Sequence, residues 1–287
     1  MTASDTELID HITAIAKDFI ASDENKLCPT CDEPAWREPL IGVSTGDDPL
    51  HEEIKAHIGD YYWLPIEAFE TANPDTDATA SDLSVVCWVL PQTMATKREH
   101  RRSHGFPSRR WMLSRYYGEK INERLARHLV EALRDEGYEV LAPHRIKQWQ
   151  RFNYVPLGPS SRWSERHACF VSGLGTFGLS HGLITPKGIA HRCGSIIIRA
   201  RIPPTERPYD THTAYCPYLV NGKCGACIRR CPAGAISDKG IDKEKCGEFH
   251  KWLHNMSRKM YGVDGHGCGL CQAGVPCESG IPRKLLK

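Results

Sequence analysis

The chain has 287 residues, 37 Lys and Arg against 35 Asp and Glu, a formal net charge of +2, and 13 cysteines. So balanced a charge excludes a global pull toward nucleic acid or an anionic membrane, and no apolar run is long enough to span a bilayer. Cysteine in this quantity, with a polar opening Met1-Thr2-Ala3-Ser4-Asp5 and no apolar signal core, points to a reducing, cytoplasmic setting.

In chain order, Leu8, Ile12, Ile15 and Phe19 share one face of a helix expected over Glu7 to Phe19. Cys28-Pro-Thr-Cys31 follows in a loop, where a redox dithiol and half of a metal site both stay open. Residues 34 to 82 read as irregular, with one short helix near Leu50 to Ile58. Ser84-Val-Val-Cys-Trp-Val-Leu90, ended by Pro91, predicts a buried strand. The segment Lys97 to Arg115 holds seven Lys or Arg, with Phe106, Pro107 and Trp111 interleaved, and reads as a basic loop. Such a loop suits a nucleic-acid backbone, a small anion or plain solvation. Ile121, Leu125, Leu129 and Leu133 recur every four residues in a helix expected over Tyr116 to Glu136, closed by Gly137. Tyr138 to Leu141 and Gly194 to Ala200 read as further strands. Helix and strand alternate, which predicts an α/β (α+β) fold with an open sheet-and-helix core. The proline-rich stretch Arg201 to Pro208 reads as a linker. The expected division is an extension over 1–82, a core over 83–203 and a cysteine-rich domain over 204–287.

Eight cysteines fall between Cys216 and Cys277. Cys216, Cys224, Cys227 and Cys231 form one group, and Cys246, Cys268, Cys271 and Cys277 the other. A Cys-x2-Cys pair puts two thiolates on one tight turn, four thiolates hold a cluster, and Cys227-x3-Cys231-Pro232 reproduces the ending of the bacterial ferredoxin run. Zinc competes, because paired Cys-x2-Cys units also suit a tetrahedral Cys₄ site. Disulfide frameworks belong to short secreted chains and fit poorly. Two features depart from the ferredoxin pattern: Asn221 stands where its first cysteine falls, and Cys271 is followed by x5-Cys277. With a ferredoxin-type crossover, one [4Fe–4S] cluster takes Cys216, Cys224, Cys227 and Cys277. The other takes Cys246, Cys268, Cys271 and Cys231. The other free cysteines, Cys87, Cys169 and Cys193, lie in apolar or mixed segments where buried cysteine is ordinary.

The stretch Trp163-Ser-Glu-Arg-His-Ala-Cys-Phe-Val-Ser-Gly-Leu-Gly-Thr-Phe-Gly178 resembles a segment of the epoxyqueuosine reductases, which carry a Glu-Arg followed by a glycine-rich loop. That family also has two cluster half-motifs separated by a lone cysteine, which Cys246 matches. The resemblance runs from about residue 84 to 277. It implies a corrinoid-binding core related to reductive dehalogenases, with two [4Fe–4S] clusters delivering electrons and cobalamin as the candidate acceptor. Gly173, Gly175, Phe177 and Gly178 match the family's glycine loop, although a tight turn needs the same glycines. The family's proton-donating aspartate falls at Pro159 here, and its Gly-Lys-Asn is replaced by Gly178-Leu-Ser-His-Gly-Leu-Ile-Thr185. The departures suggest another substrate. His167, His181 and His191 surround the loop, and His181 and Tyr116 are the candidate proton donors. The reading is an iron–sulfur oxidoreductase with a ferredoxin- or flavodoxin-like donor and a small-molecule substrate. Its alternatives are tRNA epoxyqueuosine reduction and non-catalytic electron transfer.

Overall fold

A computed structural model of the chain describes residues 5–153 and 158–286. Residues 1–4, which include most of the polar opening noted above, lie outside the described residues. Helices are α1 (Asp5–Ala21), α2 (Pro49–Ile58), α3 (Pro65–Ala72), α4 (Met94–Arg101), α5 (Arg109–Asp135), α6 (Glu165–Val171), α7 (Pro217–Asn221), α8 (Ala226–Arg230), α9 (Lys243–Tyr261) and α10 (Arg283–Leu286). Strands are β1 (Leu40–Thr45), β2 (Leu83–Pro91), β3 (Val140–Leu141), β4 (Arg151–Phe152), β5 (Ser160–Ser161), β6 (Thr176–Phe177), β7 (Leu183–Ile184), β8 (His191–Arg199), β9 (Ile236–Ser237) and β10 (Gly240–Ile241).

The α/β reading holds, built on a four-stranded sheet in the order β1-β2-β8-β3 with every pairing antiparallel. β2 is buried along its whole length, as its unbroken apolar run requires. Side chains alternate across a strand, so each face builds its own core. Val86, Trp88 and Leu90 of β2 join Ile196 and Ile198 of β8 against α1 and α5. Val85, Cys87 and Val89 join Cys193 and Ile197 against α3 and α6.

Two expectations are corrected. The segment 34 to 82 is not largely irregular: β1 pairs with β2 from Leu40↔Val89 to Thr45↔Ser84, and α3 follows α2. Partner pairing across the chain, rather than local pattern, makes β1 a strand. The basic segment Lys97 to Arg115 is not a loop either. Thr93 caps α4 and Ser108 caps α5 through side-chain oxygens that accept the Thr96 and Trp111 amides. Its charges are largely spoken for within the protein: Lys97 is fully buried and donates to Ser279 Oγ at 3.0 Å, Arg101 pairs with Glu278, and Arg110 with Glu33. Cys28 and Cys31 are joined to each other by a disulfide.

The proline-rich stretch after β8 lies along the core. Thr205 exchanges hydrogen bonds with Val43, and Arg207 pairs with Asp48. Among the described residues, no helix is long and apolar enough to cross a membrane.

Candidate functional site

The cysteine-rich segment is built from short elements whose ends carry the thiols. Cys216 caps α7, Cys227 lies inside α8 and Cys231 ends it. Cys246 sits in the first turns of α9, Cys271 in a 3₁₀ turn over Leu270–Gln272, and Cys268 just before that turn. Folding brings these near one another, with Cys271 in electrostatic reach of Cys227 as well as of Cys268, Cys246 and Cys231. Cys277 lies within electrostatic reach of Cys227, Cys216 and Cys224, and these four line one small cavity with Leu179, Ile184, Ile189 and Val275. Cys268 and Cys271 each lie within reach of Cys231 and Cys246.

Burial in apolar surroundings, reinforced by neighbouring thiols, pushes Cys227 up to about 11 and Cys277 up to about 12. Burial does the same to Cys268, up to about 12, and raises Cys271 and Cys246. Among the described residues, no three His, Cys, Asp or Glu side chains approach closely enough to share one metal ion.

Several residues around the second set were invisible to motif reading. His250, one turn after Cys246 on α9, places Nε2 3.8 Å from Cys246 Sγ and accepts the Cys268 amide at 3.3 Å. Arg230 of α8 spreads its guanidinium over four carbonyls, those of Leu270, Ala273, Ser103 and His100. It thereby ties the α4–α5 connection to the 3₁₀ turn that presents Cys271. Trp111 Nε1 donates to Gly267 O at 3.1 Å beside Cys268. The Ile189 amide donates to the Cys277 carbonyl at 2.9 Å, joining the first set to the approach of β8. Only the i,i+4 spacing of Cys246 and His250 was a readable signal.

The glycine loop runs between α6 and β7. Gly173 has φ of 77°, and a side chain there would meet the Glu206 carbonyl at 2.8 Å. A side chain at Gly175 would run into the Ile184 carbonyl. The chain's own backbone therefore demands both glycines. Gly178 faces the Ile184 side chain, and the Phe177 ring packs on His167 and Phe170.

His181 lies just past this loop with φ of 56°, the only non-glycine positive φ among the described residues, and its carbonyl accepts from Arg166 at 2.5 Å. Burial, then Lys243 and Arg166, hold its ring below the ordinary histidine range. Tyr116 is elsewhere: it packs on the α1 side of the sheet, its ring edge-on to Tyr117 and covered by Lys120 at 4.1 Å. His181 and Tyr116 are not brought together. His167 bonds Ser164 at 2.8 Å and is held down to about 3 by burial and Arg166. His191 opens β8, and its Nε2 bonds the Leu183 carbonyl at 2.8 Å.

Between α5, α6, β8 and α9 lies a concentration of positive charge. Arg115 is lowered to about 10 by burial and by Arg151 and Arg166. Burial and Arg115 lower Arg192 well below its ordinary value, although Glu119 pairs with it. Lys243 is lowered by burial and Arg166, and His250 by burial, Arg115 and His266. Cations that depress one another mark a space suited to an anion. The Arg192 Nε in this group is buried without a hydrogen-bond partner.

No family model matches the sequence, and no curated protein matches it. Solved structures do. A selenomethionine-labelled epoxyqueuosine reductase superposes with a TM-score of 0.51 at 17% identity over 97% of this chain and 67% of that one. The Bacillus subtilis epoxyqueuosine reductase gives 0.50 at 18% identity over 97% and 67%. A reductive dehalogenase gives 0.49 at 16% identity over 97% and 38%. The chain thus spans about two thirds of the length of the reductases it matches. At this distance the likeness carries architecture and not activity. The chain has the fold of the epoxyqueuosine reductases, as a distant relative in structure.

Proposed function

We propose that this protein is an iron–sulfur oxidoreductase of the cytoplasm holding two [4Fe–4S] clusters. Cys216, Cys224, Cys227 and Cys277 hold one, and Cys231, Cys246, Cys268 and Cys271 the other. The observation that carries the reading is the approach of thiols across the chain's two cysteine groups, Cys277 toward Cys227, Cys216 and Cys224, and Cys231 toward Cys268 and Cys271. Zinc fits less well. A four-thiolate zinc site has no use for the Cys227-x3-Cys231-Pro232 ending, which belongs to the ferredoxin run.

When bound, such clusters take up and release electrons one at a time. The chain's own residues do the rest. The apolar side chains Leu179, Ile184 and Ile189 exclude water from the first set, and Arg230 holds the turn that carries part of the second. Arg115, Arg166, Arg192 and Lys243 bind and orient an anionic cofactor or substrate beside the clusters. A corrinoid is the candidate cofactor; support for it comes from this cationic set and the fold, since Gly173 and Gly175 answer to the chain's own backbone. The electron donor is a ferredoxin- or flavodoxin-like protein.

The fold favours a second reading, reduction of epoxyqueuosine in tRNA. Against it, Pro159 stands where the resemblance places the catalytic aspartate. Metal analysis of anaerobically purified protein tests the proposal. About eight irons per chain, as two four-iron clusters require, support it, and zinc without iron overturns it. Cobalt retained after incubation with cobalamin supports the corrinoid. Turnover of an epoxyqueuosine-bearing tRNA stem-loop would install the second reading.

A further inference from the structure

Three cysteines outside the cluster sets meet at one point. Cys87 lies on β2 and Cys193 on β8. The register pairs Cys87 with Ser195 and Val89 with Cys193, so both thiols emerge on the same face, one diagonal step apart. Helix α6 lays Cys169 over that face, in one packed cluster with Cys193 and Cys87 and within electrostatic reach of both thiols. Behind Cys87, the Ser172 hydroxyl donates to its sulfur at 3.3 Å.

The three thiols are not equivalent. Cys193 Sγ stands 3.6 Å from His191 Nδ1, and His191 Nε2 is 2.8 Å from the Leu183 carbonyl oxygen. A carbonyl only accepts, so Nε2 carries the ring proton and Nδ1 turns its lone pair to the thiol. Nucleophile, base and a third group orienting the base form the constellation that activates a cysteine. The neighbouring Cys169 thiol holds Cys193 well below the ordinary thiol range, and the imidazolium charge adds to this once His191 has taken the proton. Cys169 has no base, faces the Trp88 carbonyl at 3.7 Å, and is kept protonated by burial. Accessibility follows the same order: His191 is half-buried, Cys193 is 8% exposed and Cys169 fully buried.

We propose that Cys193 and Cys169 are a redox-active dithiol, with Cys193 the attacking thiol, His191 its base, Cys169 the resolving thiol, and a low-molecular-weight disulfide the oxidant. Cys193 passes its proton to His191 Nδ1 and attacks one sulfur of the disulfide RSSR. A Cys193–SR bond forms, the S–S bond breaks, and the departing RS⁻ leaves as RSH with the proton from His191. Cys169 then attacks the Cys193 sulfur and expels the second RS⁻, which takes the Cys169 proton. The sum is two protein thiols and RSSR giving one protein disulfide and two RSH. Excess thiol reverses it. None of this depends on the clusters.

The test uses anaerobically purified protein incubated with 2-hydroxyethyl disulfide, quenched in acid, alkylated and mapped by mass spectrometry. A Cys169–Cys193 linked peptide is the expected product. Cys169→Ser should stop at the mixed disulfide on Cys193. His191→Gln should slow its formation at least ten-fold at neutral pH, with iron content unchanged. Recovery of Cys193 as a free thiol in the unaltered protein overturns the proposal without reference to any variant. So does an undiminished rate in His191→Gln. Linkage of Cys193 to Cys87 in place of Cys169 would overturn the resolving role.

Discussion

The Nε2 of His250 stands 3.8 Å from the Sγ of Cys246, one turn back on α9, while accepting the backbone amide of Cys268 at 3.3 Å. One imidazole thus bridges two thiol-bearing segments that the sequence separates by a whole helix. Groups that orient metal ligands from behind tune affinity by about 10–100-fold. His250→Ala should therefore leave iron loading near normal on purification but speed its loss to a chelator by about ten-fold or more. His250→Gln, which keeps an acceptor, should restore part of the retention. Equal chelation rates in all three proteins would remove His250 from the site.

The exchanged ligands make a sharper prediction. If Cys277 belongs with Cys227, Cys227→Ala, Cys277→Ala and the double variant should each lose the same cluster. Each would keep about four irons of the eight that two clusters supply. Pairing Cys277→Ala with Cys268→Ala should strip both. Iron counts that group Cys227 with Cys231 instead would restore the uncrossed assignment.

Arg230 saturates four carbonyls with one guanidinium. Its loss leaves partly buried acceptors unpaired and unpins the α4–α5 connection from the Cys271 turn. Arg230→Ala should cost about 3 kcal/mol in a urea unfolding measurement. Arg230→Lys should recover little, because a single ammonium lacks the planar fork that reaches all four carbonyls.

His51 gives a pH dependence of definite sign. It is 3% exposed, and its Nε2 lies 3.3 Å from Ser44 Oγ. Burial, opposed by Asp48, holds it down to about 4. The fold keeps the ring neutral, whereas the unfolded chain protonates it below about 6.5. The unfolded state then binds the extra proton, so His51 favours the fold above pH 6.5 and that contribution is lost as pH falls toward 4. His51→Gln should flatten the stability profile between about pH 6.5 and 4, by up to about 3 kcal/mol at the acid end. Parallel profiles for the two proteins would show that the folded chain protonates the ring as readily as the unfolded one.

Local chemistry was legible along the chain. β2 announced itself as an unbroken apolar run, α5 as a four-residue apolar period, and the cysteine spacing as paired thiolates, because each depends on neighbours in sequence. β1 did not, since Leu40 to Thr45 becomes a strand only by hydrogen bonding to β2, across two intervening helices. The basic segment shows the same limit. Composition displays seven cations, but only the fold reveals that Lys97 is buried on Ser279 and Arg101 spent on Glu278.

At the candidate site the division is similar. The sequence by itself determined which residues could bind metal and where glycines were required. Only the tertiary structure decided what each of them faces: the Ile184 carbonyl at Gly175, the α1-side core at Tyr116, and His191 at Cys193. The reason is physical. A turn or a helical stripe is set by bonds a few residues long, whereas the partner of a side chain is set by packing that folds distant segments together.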